Sequence, residues 1–330
     1  MNVEKRILVT GGAGYIGSHT CKALAQEGYQ PVTLDNLSTG NRDAVQWGPL
    51  IEADLRDTNS LIGVLEEYQI QAVIHFAACA YVGESVENPD LYYDNNVVGM
   101  RSLLHAMKRT GVDRIVFSSS CATYGIPQAL PIGEEALQNP INPYGRTKLA
   151  CEWMIRDFGA AYGLRGAMLR YFNACGADPD GELAERHDPE THLIPLALMA
   201  ARDGDRPLKV FGTDYPTPDG TCIRDYIHVS DLARAHVLAL AALDETQSSI
   251  AVNLGTGHGR SILEILDGIE KVTGRSVPIV HAARRPGDPP ELVADASAAR
   301  DILGFTAMRS DLETILRDTA PTFGLEARHG

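Results

Sequence analysis

Short apolar segments alternate with amphipathic segments through the first half of the chain. Short apolar runs bounded by polar or glycine-rich residues predict buried strands, and the segments between them show helical periodicity. Nearly continuous apolar strands separated by helices are typical of a parallel sheet that helices cover on both faces. We therefore predict an α/β fold with its binding site at the carboxyl ends of the strands. The predicted strands are residues 7–10, 31–35, 50–54, 72–76, 114–118 and 167–171.

The pattern loosens after residue 175. Residues 176–191 are rich in Gly, Asp, Glu and Pro, and they predict a loop that leaves the sheet. We expect a first domain, residues 1–175, that contains the sheet, and a smaller α/β substrate-binding sub-domain, residues 176–330. Part of the second segment can return to the sheet. Its predicted elements are strands at residues 208–211, 226–229 and 251–254 and helices that begin at Ser230 and at Ser261, where Ser-Ile-Leu-Glu forms a capping box.

Composition excludes several classes of function. The net charge of −14 over 330 residues is spread out without a basic run, so nucleic acid is not an expected partner. No apolar segment reaches the length of about 18 residues that a membrane span needs, and no signal-peptide pattern precedes the first strand. We expect no membrane partner and a cytoplasmic location. The six cysteines and ten histidines lack ligand or disulfide spacing, so we expect buried thiols and no metal site.

A glycine-rich loop, Gly11-Gly12-Ala13-Gly14-Tyr15-Ile16-Gly17, follows the first predicted strand and opens a helix. Its glycines allow a tight turn and close approach to a pyrophosphate, which the helix N-terminus stabilises. Asp35 ends the second strand 18 residues after Gly17, where its carboxylate can bind the ribose diol of adenosine. That carboxylate repels a 2′-phosphate and Asn36 offers no countercharge, so NAD is favoured over NADP. The alternative is a glycine turn that only packs the helix.

Tyr144 and Lys148 form a candidate catalytic pair. Asn142-Pro143 predicts a helix start, which puts Tyr144 in the first turn and Lys148 one turn later on the same face. A phenol with a pKa of about 10 needs a positive neighbour to act as a base near neutral pH. An ammonium at roughly 5 Å contributes about 3 kcal/mol, or roughly two pKa units, so Lys148 alone is expected to be nearly enough. The helix N-terminus and a nicotinium ring could supply the rest.

Ser118-Ser119-Ser120 ends the fifth predicted strand, where a hydroxyl can bind an oxygen that is being oxidised. The alternatives are serines that only bind backbone and a Tyr–Lys spacing that arises by chance.

Further motifs run nearly from end to end of the chain. With the glycine loop and the Ser, Tyr and Lys set, they resemble the extended short-chain dehydrogenase/reductase family and, within it, the nucleotide-sugar 4-epimerases. The resemblance implies a Rossmann-type sheet and a homodimer. The motifs are residues 75–78, 82–86, 92–96, 170–173, 191–195, 211–217, 219–229 and 284–288, of which the last four are specific to nucleotide-sugar epimerases.

The resemblance also implies roles for individual residues. The expected catalytic residues are Ser120, Tyr144 and Lys148. The residues expected to contact NAD are Gly11, Gly14, Tyr15, Ile16, Gly17, Asp35, Asn36, Asp54, Leu55, Phe76, Ala77, Ala78, Asn95, Tyr144, Lys148 and Tyr171. The residues expected to contact a UDP-sugar are Ser120, Tyr144, Asn173, His192, Leu193, Phe211, Arg224, Arg285, Asp288 and Leu292.

Arg224 and Arg285 also suit a UDP-sugar on physical grounds, because a guanidinium fork matches a diphosphate. The alternative for either arginine is an ordinary ion pair with Asp225 or Asp288.

The implied reaction is inversion at carbon 4 of a UDP-hexose by transient oxidation with bound NAD. Ala80 stands where many family members carry Lys, and Ala80-Tyr81 also resembles UDP-pentose 4-epimerases. The residues after Ser120, Cys121-Ala122-Thr123-Tyr124, contain no acidic pair, which disfavours a 4,6-dehydratase.

In the resemblance, Leu292 forms a wall of the sugar pocket, where Tyr excludes a 2-acetamido group and a small residue admits it. Leucine is intermediate, so we expect UDP-glucose and UDP-galactose to be preferred and the N-acetylated pair to react weakly. The alternatives are a core leucine that points away, a 4-epimerase of UDP-xylose/UDP-arabinose or UDP-N-acetylhexosamine, and a catalytically idle nucleotide-sensing protein on the same fold.

Overall fold

The computed structural model describes residues 5–246, 248–285 and 288–328. Its strands are β1 (Arg6–Thr10), β2 (Gln30–Asp35), β3 (Leu50–Glu52), β4 (Ala72–His75), β5 (Arg114–Ser120), β6 (Arg165–Tyr171), β7 (Asn173–Cys175), β8 (Leu208–Phe211), β9 (Ile223–His228), β10 (Ile250–Leu254), β11 (Gly259–Ser261), β12 (Ile279–Ala282) and β13 (Glu291–Leu292). Its α-helices are α1 (Tyr15–Gln26), α2 (Thr58–Glu67), α3 (Val82–Glu87), α4 (Pro89–Tyr92), α5 (Gly99–Thr110), α6 (Pro143–Tyr162), α7 (Leu193–Asp203), α8 (Val229–Glu245), α9 (Ile262–Thr273), α10 (Ser297–Leu303) and α11 (Leu312–Thr319).

Seven parallel strands form the main sheet in the order β10-β6-β5-β4-β1-β2-β3. Side chains on alternate positions of β1 enter different apolar cores, because successive residues of a strand point to opposite faces. Ile7 and Val9 pack with residues of α1 and α8, whereas Leu8 packs with residues of α2, α5 and α6. The predicted parallel sheet with helices on both faces is confirmed.

Several predicted boundaries are wrong by one or two residues. β3 ends at Glu52 because Asp54 starts a tight turn, in which its carboxylate accepts the Arg56 N–H at 2.9 Å. Helix α8 begins at Val229 rather than Ser230, and the His228 imidazole accepts the Ser230 N–H at 3.0 Å. The capping box at Ser261 is confirmed, with Ser261 and Glu264 bonding reciprocally to each other's backbone.

Chain beyond residue 175 contributes to the main layer as well as to smaller sheets. β10 pairs with β6, and α8 packs against α1. The smaller sheets are β11-β9-β13, with β7 also paired to β9, and the pair β12-β8. A third apolar core lies beneath them, around α7, α9 and α11. The division of the chain at residue 175 stays a prediction.

Two of the six cysteines differ from the expectation of buried thiols. Cys79 and Cys121 are only half-buried, while the other four are buried, and all six are free. No helix among the described residues is long and apolar enough to cross a bilayer.

Candidate active site

Helix α6 carries two of the expected catalytic side chains to the carboxyl edge of the main sheet. The Asn142 side chain accepts the Gly145 N–H at 2.8 Å, and Pro143 is the first helical residue. This entry is the one that the Asn-Pro dipeptide predicts. It places Tyr144 in the first turn and Lys148 one turn further along, beside the end of β5.

The three serines at the end of β5 have three different partners. The Ser118 hydroxyl lies 2.5 Å from the Tyr171 hydroxyl at the end of β6. Ser119 donates to the Glu152 carboxylate at 2.6 Å. Ser120 accepts the Ala122 N–H at 3.1 Å, and its hydroxyl interacts with Tyr144 and lowers the pKa of that phenol. Of the three serines, Ser120 is therefore the one that interacts with Tyr144.

Lys148 is buried with its ammonium close to two aromatic rings. Its Nζ donates to the Ser118 carbonyl at 2.7 Å and lies 5.0 Å from the Phe117 ring centroid and 5.8 Å from the Tyr144 ring centroid. Burial lowers the pKa of Lys148 to about 8, because a desolvated ammonium is disfavoured. The ammonium charge is therefore easier to lose than that of a surface lysine.

The protonation of Tyr144 differs from the sequence-based expectation. Burial raises the pKa of Tyr144 above its ordinary value, and the Ser120 hydroxyl only partly opposes the shift. The Lys148 Nζ, which donates to the Ser118 carbonyl and lies 5.8 Å from the Tyr144 ring centroid, does not offset this effect of burial. The expectation that Lys148 alone nearly suffices to produce a phenolate is wrong.

The glycine-rich loop between β1 and α1 brings backbone close to any group placed above it. Gly11 has φ +72°, which favours glycine, and a Cβ there would lie 2.6 Å from the Ala77 nitrogen. A Cβ on Gly17 would lie 2.2 Å from the Gly11 carbonyl oxygen. No side chain in the described chain caps the N-terminus of α1 at Gly14. These features fit a dinucleotide pyrophosphate at the helix N-terminus.

Asp35 is tied to the same loop. Its two carboxylate oxygens accept the Ala13 N–H at 3.0 Å and the Leu37 N–H at 2.8 Å. Burial raises its pKa, and these two bonds oppose the shift. Each carboxylate oxygen keeps a lone pair, so Asp35 can hold the loop and also accept from a ribose diol. Asn36 next to it is exposed, and its side chain accepts the Ser38 N–H.

The structure places the other residues expected to contact NAD as follows. Asp54 pairs with Arg56 at 2.7 Å, and this contact lowers the pKa of Asp54 to about 2. Phe76 packs on His236 with ring centroids 4.6 Å apart, and Tyr171 lies 6.2 Å from the same ring. Asn95 belongs to a π-helical turn, Tyr93–Val98. Leu55 is buried, Tyr15 and Ile16 begin α1, and Ala77 and Ala78 follow β4.

The residues expected to contact a UDP-sugar come from later elements. Arg224 forms an ion pair with Asp288, and this is one of the alternatives that the sequence left open. The Arg285 guanidinium lies 4.3 Å from the Phe211 ring centroid. Leu292 is opposite Arg224 in the β13–β9 pairing and packs half-buried on a small apolar cluster that includes Tyr124 and Phe172. Asn173 and Leu193, both half-buried, begin β7 and α7.

His192 stands at the N-terminus of α7 within a group of charged side chains. Its Nδ1 lies 2.8 Å from Glu190 and 3.0 Å from Glu185. The His187 Nδ1 lies 3.5 Å from Glu190 and 3.3 Å from Glu185. Although burial alone lowers them, the carboxylates raise the pKa of His187 to about 9 and that of His192 to about 10. Sequence spacing did not indicate this group.

The segment that precedes this group is fastened over the glycine-rich loop. The Tyr15 hydroxyl donates to the Gly176 carbonyl at 2.6 Å. The buried Lys22 ammonium contacts three carboxylates at 2.7–2.8 Å, those of Asp178, Asp180 and Glu182. Between the segment and the loop lies a cavity of about 210 Å³, lined by Gly14, Tyr15, Asn41, Glu182, Arg186 and others.

Sequence reasoning also missed two buried polar networks that fix α6. The Asn96 amide donates to the Cys79 carbonyl and to the Thr147 hydroxyl, both at 3.0 Å. Glu152 and Arg170 pair with no access to water. The motif Asp94-Asn95-Asn96 does not indicate which of its asparagines turns inward.

A model of the NAD dependent epimerase/dehydratase family matches residues 7–255. The UDP-glucose 4-epimerase of Rhizobium meliloti (strain 1021) is 55% identical over 302 residues, which cover 92% of this chain and 92% of that protein. The solved UDP-glucose 4-epimerase of Brucella ovis, in complex with NAD, has a TM-score of 0.96 and 61% identity, covering 98% of this chain and 100% of that one. That of Stenotrophomonas maltophila, with bound NAD and formylated UDP-arabinopyranose, has a TM-score of 0.94 and 42% identity, covering 97% and 98%.

Proposed function

This chain belongs to the NAD-dependent epimerase/dehydratase family, and from that premise we propose that it interconverts UDP-glucose and UDP-galactose by inversion at carbon 4. The observation that carries the proposal is the interaction of the Ser120 hydroxyl with Tyr144, with Lys148 one helical turn away, beside a loop shaped for a dinucleotide. The protein is an NAD-dependent isomerase. An idle nucleotide-sensing protein is disfavoured because the full Ser, Tyr and Lys set is present.

Bound NAD would supply the acceptor for a hydride from carbon 4 of the sugar and the donor for its return to the opposite face. We assign Tyr144 the removal and return of the 4-hydroxyl proton. We assign Ser120 the role of holding the oxygen while it is a carbonyl, since its hydroxyl interacts with Tyr144. Burial raises the pKa of Tyr144, so the phenolate needs positive charge, and Lys148 supplies part of it from 5.8 Å.

The cofactor would be held by the glycine-rich loop and by the side chains around it. The N-terminus of α1 would face the pyrophosphate, and Asp35 would accept from the adenosine ribose. Phe76 and Tyr171 would lie near the nicotinamide end, because Phe76 follows β4 and Tyr171 ends β6, the two strands on either side of β5 and its Ser118–Ser120.

The nucleotide half of the substrate would be held by the later elements. Arg285, stacked on Phe211, offers its guanidinium edge to a diphosphate, whereas Arg224 must share its charge with Asp288. The His192 Nδ1 faces the carboxylates, which leaves Nε2 of this half-exposed side chain for the nucleotide. Leu292 would limit the space next to the sugar.

An epimerisation assay without added cofactor tests the proposal. UDP-glucose, UDP-xylose and UDP-N-acetylglucosamine are incubated separately with purified protein, and the 4-epimers are separated and quantified. We expect UDP-glucose to have the highest kcat/KM and NAD(H) to be released when the protein is denatured. Preference for either other sugar would reassign the substrate, and a stoichiometric need for NADPH would contradict the reaction itself.

We also propose a homodimer and a cytoplasmic location, within the metabolism of galactose. Large apolar side chains are exposed on and around α3 and α6, including Val86, Tyr93 and Trp153. Six free cysteines are compatible with a reducing compartment. Sedimentation of the parent and of Trp153→Glu tests the dimer, since a buried charge at the interface should shift the protein to monomer.

A further inference from the structure

Four side chains of one short segment converge on a single point next to α7. They are Glu185, His187, Glu190 and His192, and one ligating atom from each lies within 4.8 Å of all the others. The Glu185 side chain is 2% exposed, and those of Glu190 and His187 are 9% and 20% exposed. The two carboxylates and the His187 imidazole thus lie largely out of water, whereas the His192 side chain is 45% exposed.

We propose that this cluster is a binding site for a transition-metal dication of the Zn²⁺ class. The four nitrogen-to-oxygen distances are 2.8, 3.0, 3.3 and 3.5 Å. Ligands bound to Zn²⁺ at about 2.0–2.1 Å in a tetrahedron are about 3.3 Å apart, so the observed spacing needs little change to close around an ion.

A second observation concerns His187. Its Nδ1 is buried within the cluster and has no hydrogen-bond partner, although two carboxylates lie 3.3 and 3.5 Å away. A ligand to an ion that it shares with two carboxylates would occupy the same position, which is buried, close to both carboxylates and without a hydrogen bond to either. The ring is held in this orientation by edge contacts with Tyr15 and Tyr81, at centroid distances of 6.1 and 6.3 Å.

The donor set selects the class of metal. Two imidazole nitrogens with two carboxylate oxygens suit Zn²⁺ and its neighbours, whereas Mg²⁺ and Ca²⁺ prefer oxygen ligands alone. The other carboxylate cluster found in the described chain, Asp178, Asp180 and Glu182, contains no histidine, and all three of its carboxylates already contact the Lys22 ammonium. It therefore serves as an internal control.

All four positions of the tetrahedron come from the protein, so the site is structural rather than catalytic. An ion there would fix residues 185–192 and hold the His192 ring by Nδ1, leaving Nε2 outward. It would also keep His187 against Tyr15 at the start of α1. The inference does not rest on the proposed reaction, and it replaces the sequence-based expectation that no histidine binds a metal.

The test uses the full-length protein with its nucleotide, after dialysis against a chelator. Zn²⁺ is titrated at pH 7.5 in competition with a chromophoric chelator, and Co²⁺ is titrated while visible absorption is recorded. We expect one equivalent of Zn²⁺ with a Kd below about 1 μM and a Co²⁺ spectrum with the intense bands of tetrahedral coordination.

Glu185→Gln and His187→Ala should each weaken Zn²⁺ binding by at least about 30-fold. Asp180→Asn, in the other carboxylate cluster, and His258→Ala, at an exposed histidine, should leave it unchanged. If either cluster variant fails to fold, the Co²⁺ spectrum of the parent still decides the coordination.

Absence of stoichiometric binding would mean that protons on the two histidines alone neutralise the carboxylates, and it would overturn the proposal. So would binding that persists at full strength in both cluster variants, or an octahedral Co²⁺ spectrum.

Discussion

Glu152 of the catalytic helix and Arg170 of β6 form a bidentate ion pair, with nitrogen-to-oxygen distances of 2.9 and 2.7 Å, and neither side chain is more than 2% exposed. Glu152 also accepts from Ser119, and Arg170 donates to the Tyr124 hydroxyl at 2.9 Å. The pair thus joins α6, β5 and β6 where Tyr144, Ser120 and Tyr171 must be held relative to one another. Burial alone raises the pKa of Glu152, but Arg170 lowers it below its ordinary value, so the carboxylate stays charged.

Replacing Arg170 with Met should lower the free energy of unfolding by about 3–5 kcal/mol, because it leaves a buried carboxylate without its cation. Arg260→Met, which removes a partner from an exposed pair with Glu264, should change it by less than about 0.5 kcal/mol. Urea unfolding of both variants makes the comparison. An equal loss of unfolding free energy in both variants would mean that the buried ion pair stabilises the fold no more than the exposed one does.

Tyr144→Phe removes one oxygen from the candidate base. Turnover should fall by at least about 100-fold, with little change in UDP-sugar affinity, because the ring and its packing remain. Tyr162→Phe is a matched control, since Tyr162 ends the same helix and is exposed. Near-normal turnover in Tyr144→Phe would move the role of base to another residue.

The lowered pKa of Lys148, about 8, predicts a limit on the alkaline side. The ammonium is present below that pKa and is lost as the pH rises through it, so kcat/KM of the parent should decline above about pH 8. Lys148→Arg, whose guanidinium stays charged, should have lower activity overall but no such decline up to pH 9. Lys108→Arg, on α5, serves as a control and should keep the parent profile. If kcat/KM of Lys148→Arg declines over the same pH range, the decline is caused by the titration of another group.

Leu292 provides a test of substrate size. Leu292→Ser should raise kcat/KM for the N-acetylated pair relative to UDP-glucose/UDP-galactose, and Leu292→Tyr should lower it, each by about 10- to 200-fold. Glu291→Gln is the control, because neighbouring residues of a strand point to opposite faces. A ratio that moves less than threefold in both Leu292 variants would indicate that this side chain serves only the apolar cluster around Tyr124 and Phe172.

Local sequence signals predicted much of the fold and which loops and helix starts form the candidate site. The start of α6 at Asn142-Pro143, the loop at Gly11 and the capping box at Ser261 each depend on a few neighbouring residues. The ends of β5 and β6 were predicted within a few residues for the same reason. These features follow from backbone preferences that act over one turn or one strand.

Contacts between distant segments could not be predicted in this way. The bond from Asn96 to Thr147 joins residues 51 apart, and the carboxylates around His192 meet only because the segment folds back on itself. The pKa of Tyr144 was misjudged for a related reason. Spacing placed Lys148 one turn away, but it could not give the direction of Nζ or the extent of burial.

The fastening of residues 176–186 to α1 has a kinetic consequence. We expect the Tyr15–Gly176 bond and the contacts of Lys22 with three carboxylates to retain a molecule lodged between this segment and the glycine-rich loop. Detachment of the segment would separate the buried Lys22 ammonium from three partners, of which only Asp178 is itself buried. The residence time of a dinucleotide in this cleft should then depend on how often the segment detaches, and the cofactor would behave as a built-in part of the protein.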